Sequence, residues 1–267
     1  MSTLRCRIFG KENGNFHPTL QPMSQFLANS SRIFVGELQE RLHMVYAPRT
    51  GFTTNIVSFP QDGSAWLNWL VRTHNPADGA LVQVPKVAIG FFNADCPMVC
   101  LHEKNRLALL HTGYRCLIRQ DQKEDGIIET AMKHFNPKQI KVLVFGGIGP
   151  CCFVPDLEDE EIYRPIPCQH KDLVESCLSH TAKQSPFGAG QVSVDLNKLI
   201  EQLLHMAGVP KKNIQIDRKC TCCATENGQP VFWSHLRYQA TIRKGCTLQK
   251  PHQQEIDGRS FSLAWLE

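Results

Sequence analysis

The stretch VAIGFFNADCPMVCLHEKNRLALLHT, residues 87–112, constrains the fold more than any other part of the chain. It holds apolar runs separated by short turns, each run too short for a typical helix. Continuous apolar runs bounded by turn residues read as buried strands. VAIGFFN is one such strand, NAD a turn, and PMVCLH a second strand that RLALLHT can join in a hairpin. In that hairpin Cys96 stands at the entry to one strand and His111 at the exit of the next, so both fall at the same end of the sheet. A thiolate beside an imidazole suits a transition metal such as zinc or copper, or a nucleophile and base pair. The plain alternative is a buried cysteine and a strand-end histidine bonded to backbone.

Strand and helix alternate further along. DGIIETAMKHF places Ile127, Ile128, Ala131, Met132 and Phe135 at helical spacing, and IKVLVFGGIGP is a strand running into a glycine turn. DLNKLIEQLLHMAGVP is the clearest helix: Leu196, Leu199, Ile200, Leu203 and Leu204 make one stripe, Asp195 caps it, and Gly208 and Pro210 end it. NIQIDRKCT reads as a strand and PVFWSHLRYQA as another. The pattern predicts an α/β (α+β) fold, a single layered domain with a mixed sheet flanked by helices. Residues 1–60 have weak periodicity and are expected to form a divergent N-terminal part of that same domain, 1–267.

Composition narrows the function. With 267 residues and 42% hydrophobic side chains the chain can bury a large core. A net charge of +4, with basic residues scattered, argues against nucleic acid or an anionic membrane as partner, while a small anionic substrate fits. The first residues lack a secretory signal and no run approaches a membrane span, so a cytoplasmic protein is expected. Twelve cysteines are then expected to be reduced. The clusters Cys151–Cys152 and Cys220, Cys222, Cys223 are read as packing or turn residues, because neither shows the paired C-x-x-C spacing of a structural zinc site.

NADCPMVCL, HTGYRC, GGIGPCCFV, DLNKLIEQLLHMAGV, CTCCATENGQPVFWSHLR and SLAWLE occur in that order. They resemble the landmarks of the laccase-domain family, also called the YfiH-type or multicopper polyphenol oxidase family: T-A-D-C, H-A-G-W-R-G, I-G-P-C, D-L with a helix ending G-V, C-T, F-S-Y-R-R and a final I-W-L. The resemblance covers residues 61–267. It implies a metal, zinc or copper, held by His, Cys and His at a pocket. Cys96 and His111 occupy two ligand positions, and Arg115 matches the arginine of the second landmark. Where the family has its first histidine, in Q-V-H-G ahead of A-D-A-L, this chain has Asp62 in PQDGSAW ahead of ADGAL; His74 is the nearest substitute. A carboxylate in place of imidazole makes the site harder and more anionic, which favours zinc over copper.

Other departures are Thr112, Tyr114 and Cys116 within HTGYRC, and FWSHLR, which keeps one of two arginines as Arg237. Residues 1–60, where the family carries F-T-T-R and S-L-N-L-G, are short and divergent. Activities associated with the family are phosphorolysis of purine nucleosides, adenosine deamination, peptidoglycan editing and phenol oxidation. The resemblance therefore implies a zinc-dependent purine nucleoside enzyme in which Asp62, Cys96 and His111 hold the ion and take part in catalysis. Arg115 and Arg237 would contact phosphate or the leaving group. One alternative is a non-catalytic relative with a degenerate metal site that acts as a binding protein; a further one is another of the family's enzyme activities, peptidoglycan editing first and phenol oxidation after it.

Overall fold

In the computed structural model, residues 3–17, 23–59, 64–119, 124–153, 168–179, 193–242 and 257–267 are described. The strands are β1 (Leu4–Phe9), β2 (Met44–Arg49), β3 (Ile56–Ser58), β4 (Ser64–Leu67), β5 (Leu70–Pro76) and β6 (Gly79–Val82). They continue with β7 (Val87–Asn93), β8 (Met98–Glu103), β9 (Arg106–His111) and β10 (Lys141–Phe145). The remaining strands are the short β11 (Leu178–Ser179) and β12 (Ser193–Val194), then β13 (Ile214–Ile216), β14 (Thr225–Glu226), β15 (Gln229–Pro230) and β16 (Ser260–Leu266). Helices are α1 (Met23–Ile33), α2 (Tyr114–Leu117), α3 (Ile127–Met132), α4 (Cys168–Ser176), α5 (Leu196–Met206) and α6 (His235–Ile242).

Two six-stranded mixed sheets, ordered β1-β16-β7-β2-β5-β4 and β13-β10-β8-β9-β6-β3, face each other. The apolar runs explain this directly. Val87, Ile89 and Phe91 of β7 pack with Met98 and Cys100 of β8 and Leu107 and Leu109 of β9 in one core between the sheets. The alternate residues serve the outer faces: Ala88 and Phe92 meet Phe26 and Ile33 of α1, while Val99, Leu101, Ala108 and Leu110 meet α3 and α5. Each strand is thus apolar on both faces, which is why its sequence runs without alternation. Burying one such Leu or Phe side chain stabilises by about 1.5–3 kcal/mol.

Helix α5 lies where the stripe places it, with Leu196, Leu199, Ile200, Leu203 and Leu204 buried and the Asp195 side chain accepting from the Lys198 N–H. The segment PVFWSHLRYQA departs from the expected strand. Only Gln229–Pro230 pairs as strand, and a helix begins at His235. Ser234 causes the change, since its Oγ accepts from the Arg237 N–H at 3.2 Å and caps the first turn. Phe232 and Trp233 are buried ahead of it. The weakly patterned N-terminal stretch supplies an edge and a centre to the first sheet: β1 pairs antiparallel with β16, and β2 lies parallel between β5 and β7. Among the described residues no helix is long and apolar enough to cross a membrane.

Candidate metal centre

Three adjacent strands of the second sheet deliver the site. β8 and β9 pair so that Met98 stands opposite His111, which brings Cys96, just ahead of β8, to the end where His111 leaves β9. On the other flank β6 pairs with β9, Gly79 opposite Leu110. That register sets Asp78, immediately before β6, beside His111. The His111 N–H donates to the Asp78 carbonyl at 2.7 Å, and the His111 ring Nδ1 donates to Asp78 Oδ1 at 2.7 Å. His111 continues the Leu107, Leu109 face, so its ring points between the sheets, where Phe91 lies 6.3 Å away.

Asp78 is fully buried and its carboxylate is shared. Oδ2 accepts from the Thr53 N–H at 2.6 Å, from Thr53 Oγ1 at 3.1 Å and from the Gly51 N–H at 3.1 Å. These bonds fold the 51–54 turn over the site and bring the Phe52 ring to 5.7 Å from the imidazole. Phe52 takes a positive φ of 52°, an uncommon conformation for a bulky residue, held here by the carboxylate below it. Asp78, Phe52 and Thr53 escaped the sequence-based site. The signal was present, since Phe52-Thr53-Thr54 reproduces the first three residues of F-T-T-R, and Asp78 is the aspartate of the ADGAL landmark.

Burial lowers the proton affinity of His111, but the neighbouring Cys96 sulfur, the Asp78 carboxylate and the Cys116 thiol outweigh it, leaving its pKa well above the ordinary histidine value. Cys116, which stands where the family has glycine, is fully buried. Burial also pushes its thiol pKa up, against the lowering by His111. Thr112 is equally buried and its hydroxyl donates to the Pro97 carbonyl at 2.7 Å, tying the exit of β9 to the Cys96–Pro97 turn.

Gly113 is required by space, because a Cβ there would lie 3.1 Å from Cys96 Sγ and 3.2 Å from Phe52 Cε1. Gly113→Ala is accordingly expected to cost about 1–3 kcal/mol through overpacking and to displace the Cys96 thiol. Thermal melting together with metal content of the variant checks both effects.

Arg115, half-buried on α2, holds its guanidinium 5.9 Å from the Phe52 ring centroid. A polar cleft of about 450 Å³ lined by Phe52, Thr53, Asn55, Arg119 and Lys133, among others, opens beside this turn. Arg237 lies elsewhere. Its Nη1 donates to the Thr221 carbonyl at 3.0 Å and its Nη2 to the Phe232 carbonyl at 2.6 Å, so it clamps two backbone segments. His74 is exposed on β5, a strand of the other sheet. Asp62 lies outside the described residues.

The residues present could hold a metal ion. Cys116 and Asp78 both lie within 4.8 Å of the His111 ligand atom, and Cys96 reaches the same imidazole, so nitrogen and sulfur donors meet here with the carboxylate behind the ring. With Nδ1 committed to a carboxylate, Nε2 is the nitrogen left for an ion; a carboxylate behind a ligating histidine fixes its tautomer and raises its basicity. Imidazole and thiolate together are donors that zinc accepts.

A family model described as "Multi-copper polyphenol oxidoreductase laccase" matches residues 26–249. Purine nucleoside phosphorylase YlmD of Geobacillus stearothermophilus is 26% identical over 166 residues, 61% of this chain and 56% of its own. Purine nucleoside phosphorylase LACC1 of Homo sapiens is 23% identical over 233 residues, 84% of this chain and 50% of its own. The chain thus spans about half the length of these curated relatives. The crystal structure of YlmD from Geobacillus stearothermophilus superposes with a TM-score of 0.65 at 21% identity, covering 99% of this chain and 91% of that one, so the fold is shared. By the extent of the family match, together with the order of its landmarks, this chain belongs to the multi-copper polyphenol oxidoreductase laccase family.

Proposed function

We propose that the protein is a zinc-dependent purine nucleoside phosphorylase. The observation that carries the reading is the Asp78–His111 bond, which pre-orients one imidazole nitrogen beside the Cys96 thiol at the end of the sheet. The names of the relatives supply the substrate class. Cys96 and His111 would hold the ion, with Asp62 as third ligand, and an ion there would stabilise developing negative charge. Asp78 keeps the His111 tautomer and orientation fixed. Phe52 covers the imidazole and restricts water.

In phosphorolysis a phosphate oxygen attacks C1′ of the ribose as the N9–C1′ bond breaks. The electron pair of that bond stays with the purine, which takes up a proton, and ribose 1-phosphate is the other product. Arg115 is positioned beside the Phe52 turn to orient the phosphate, because a guanidinium engages two phosphate oxygens at once. Holding phosphate and C1′ in line removes much of the entropic cost of the encounter.

The test is incubation of metal-analysed protein with adenosine, inosine and methylthioadenosine, with and without phosphate. Phosphate-dependent release of free base, lost in Arg115→Ala and in Asp62→Ala, supports the reading. Deamination without phosphate would redirect it to hydrolytic chemistry at the same site. Turnover of none of the nucleosides by zinc-loaded protein would sink it and favour the non-catalytic alternative.

A further inference from the structure

The cysteines at 151–152 and 220–223 meet in space. The turn after β10 and the turn after β13 place the sulfurs of Cys151, Cys152, Cys220 and Cys223 within 4.8 Å of one another. Cys220 and Cys223 are a C-x-x-C pair inside CTCC, and the partner pair comes from a distant part of the chain, which the reading of these cysteines as packing residues overlooked. We propose that these four cysteines form a second, structural metal site for a thiophilic ion, zinc foremost, separate from the centre at His111.

Geometry supports this. Four sulfurs at tetrahedral angles, each ~2.3 Å from an ion, stand about 3.8 Å apart; Cys151 Sγ and Cys223 Sγ are 3.5 Å apart, so little movement is needed for an ion to be enclosed. Both turns are tight. The Cys152 N–H donates to the Gly149 carbonyl and the Ala224 N–H to the Cys220 carbonyl, each at 3.0 Å, so the backbone holds each pair of thiols together before any ion arrives. Gly149 leaves the room, as a Cβ there would stand 3.2 Å from Cys151 Sγ and 3.3 Å from Cys220 Cβ.

Charge is also provided for. An ion with four thiolates carries a net −2 charge, which needs donors and a nearby cation in a half-buried place. The Gly149 N–H donates to Cys220 Sγ at 3.1 Å. The Arg237 guanidinium, bonded to the Thr221 carbonyl, stands against the 220–223 turn. This gives Arg237 a role in this chain that requires no contact with substrate.

The position of the cluster suggests its purpose. Thr221, inside the C-x-x-C turn, donates its hydroxyl to Asp95 at 2.8 Å, and Asp95 adjoins Cys96. An ion joining the two turns would brace the floor of the NADC turn and hold the Cys96 thiol in place. Because the cluster shares no ligand with the His111 centre, its metal content can be measured apart from the proposed nucleoside activity, and the failure of either reading is distinguishable from the failure of the other.

The test uses the full chain purified under reducing conditions without metal affinity, and the His111→Gln variant, in which the first centre is disabled. About one zinc per chain should persist in that variant and be lost on further Cys220→Ser and Cys223→Ser substitution, with release followed by a chromogenic chelator. Cobalt loaded in place of zinc into the unsubstituted protein should show charge transfer with the intensity of four thiolates on one ion, well above what the single Cys96 thiolate of the His111 centre gives, so that the result does not depend on a variant folding. Absence of that intensity together with no zinc in His111→Gln would overturn the proposal. So would a disulfide between any two of the four cysteines in freshly isolated protein, found by mass spectrometry.

Discussion

Asp78→Ala is expected to disable the site and to destabilise the protein by about 3–5 kcal/mol, the range for removing one partner of a buried charged pair. The carboxylate is fully buried and accepts from His111 Nδ1, the Thr53 N–H, Thr53 Oγ1 and the Gly51 N–H. Alanine leaves these donors without an acceptor, frees the Phe52 turn and lets the imidazole rotate. Metal affinity at the His111 centre should fall by about 10–100-fold, the usual cost of removing a group behind a ligating histidine. Asp78→Asn separates the two effects: its amide oxygen can still accept from the imidazole, so folding should largely recover while metal affinity stays reduced. Denaturant unfolding and zinc competition titration check the pair of variants. Unchanged zinc affinity in folded Asp78→Asn and Asp78→Ala would show that Asp78 does not support a metal ligand.

Asp95→Ala should act chiefly on folding, at about 1–3 kcal/mol for each buried donor left without an acceptor. Its carboxylate, at the NADC turn, accepts from Thr221 Oγ1 at 2.8 Å, Ser234 Oγ at 3.0 Å and the Leu236 N–H at 2.8 Å. Burial raises its pKa against the lowering effect of those donors and of Arg237. One side chain thus gathers the turn before β8, the C-x-x-C turn and the start of α6. The backbone adds to the cost: Asp95 has a φ of +68°, a left-handed conformation that aspartate and asparagine tolerate better than alanine. Asp95→Asn should therefore be milder than Asp95→Ala in the same melt. Equal melting temperatures for Asp95→Ala and the unsubstituted chain would show that these bonds contribute nothing net.

Much of the fold was legible in the residues, for a definite reason. The strands from Val87 to His111 are apolar on both faces, so their type and turns follow from local pattern, and the hairpin that joins Cys96 to His111 follows from the short turn between β8 and β9. The α5 stripe with its Asp195 cap is equally local. By contrast, PVFWSHLRYQA misled because its apolar residues are buried in a loop ahead of a capped helix, and a short apolar run does not distinguish these cases. Residues 1–60 were opaque because β1 and β2 take their places from partners far along the chain, β16 for the one and β5 and β7 for the other.

The sequence by itself determined the family, the mixed α/β class and the meeting of Cys96 with His111, because each rests on residues near one another in the chain or on landmarks in a fixed order. Only the tertiary structure decided that Asp78 stands behind His111, that Phe52 covers it, that Arg237 grips backbone, and that the cysteines of two distant turns converge. Those contacts depend on strand register and on which loops share one end of the paired sheets. Register is fixed by packing across the whole core, and no local stretch of sequence carries it.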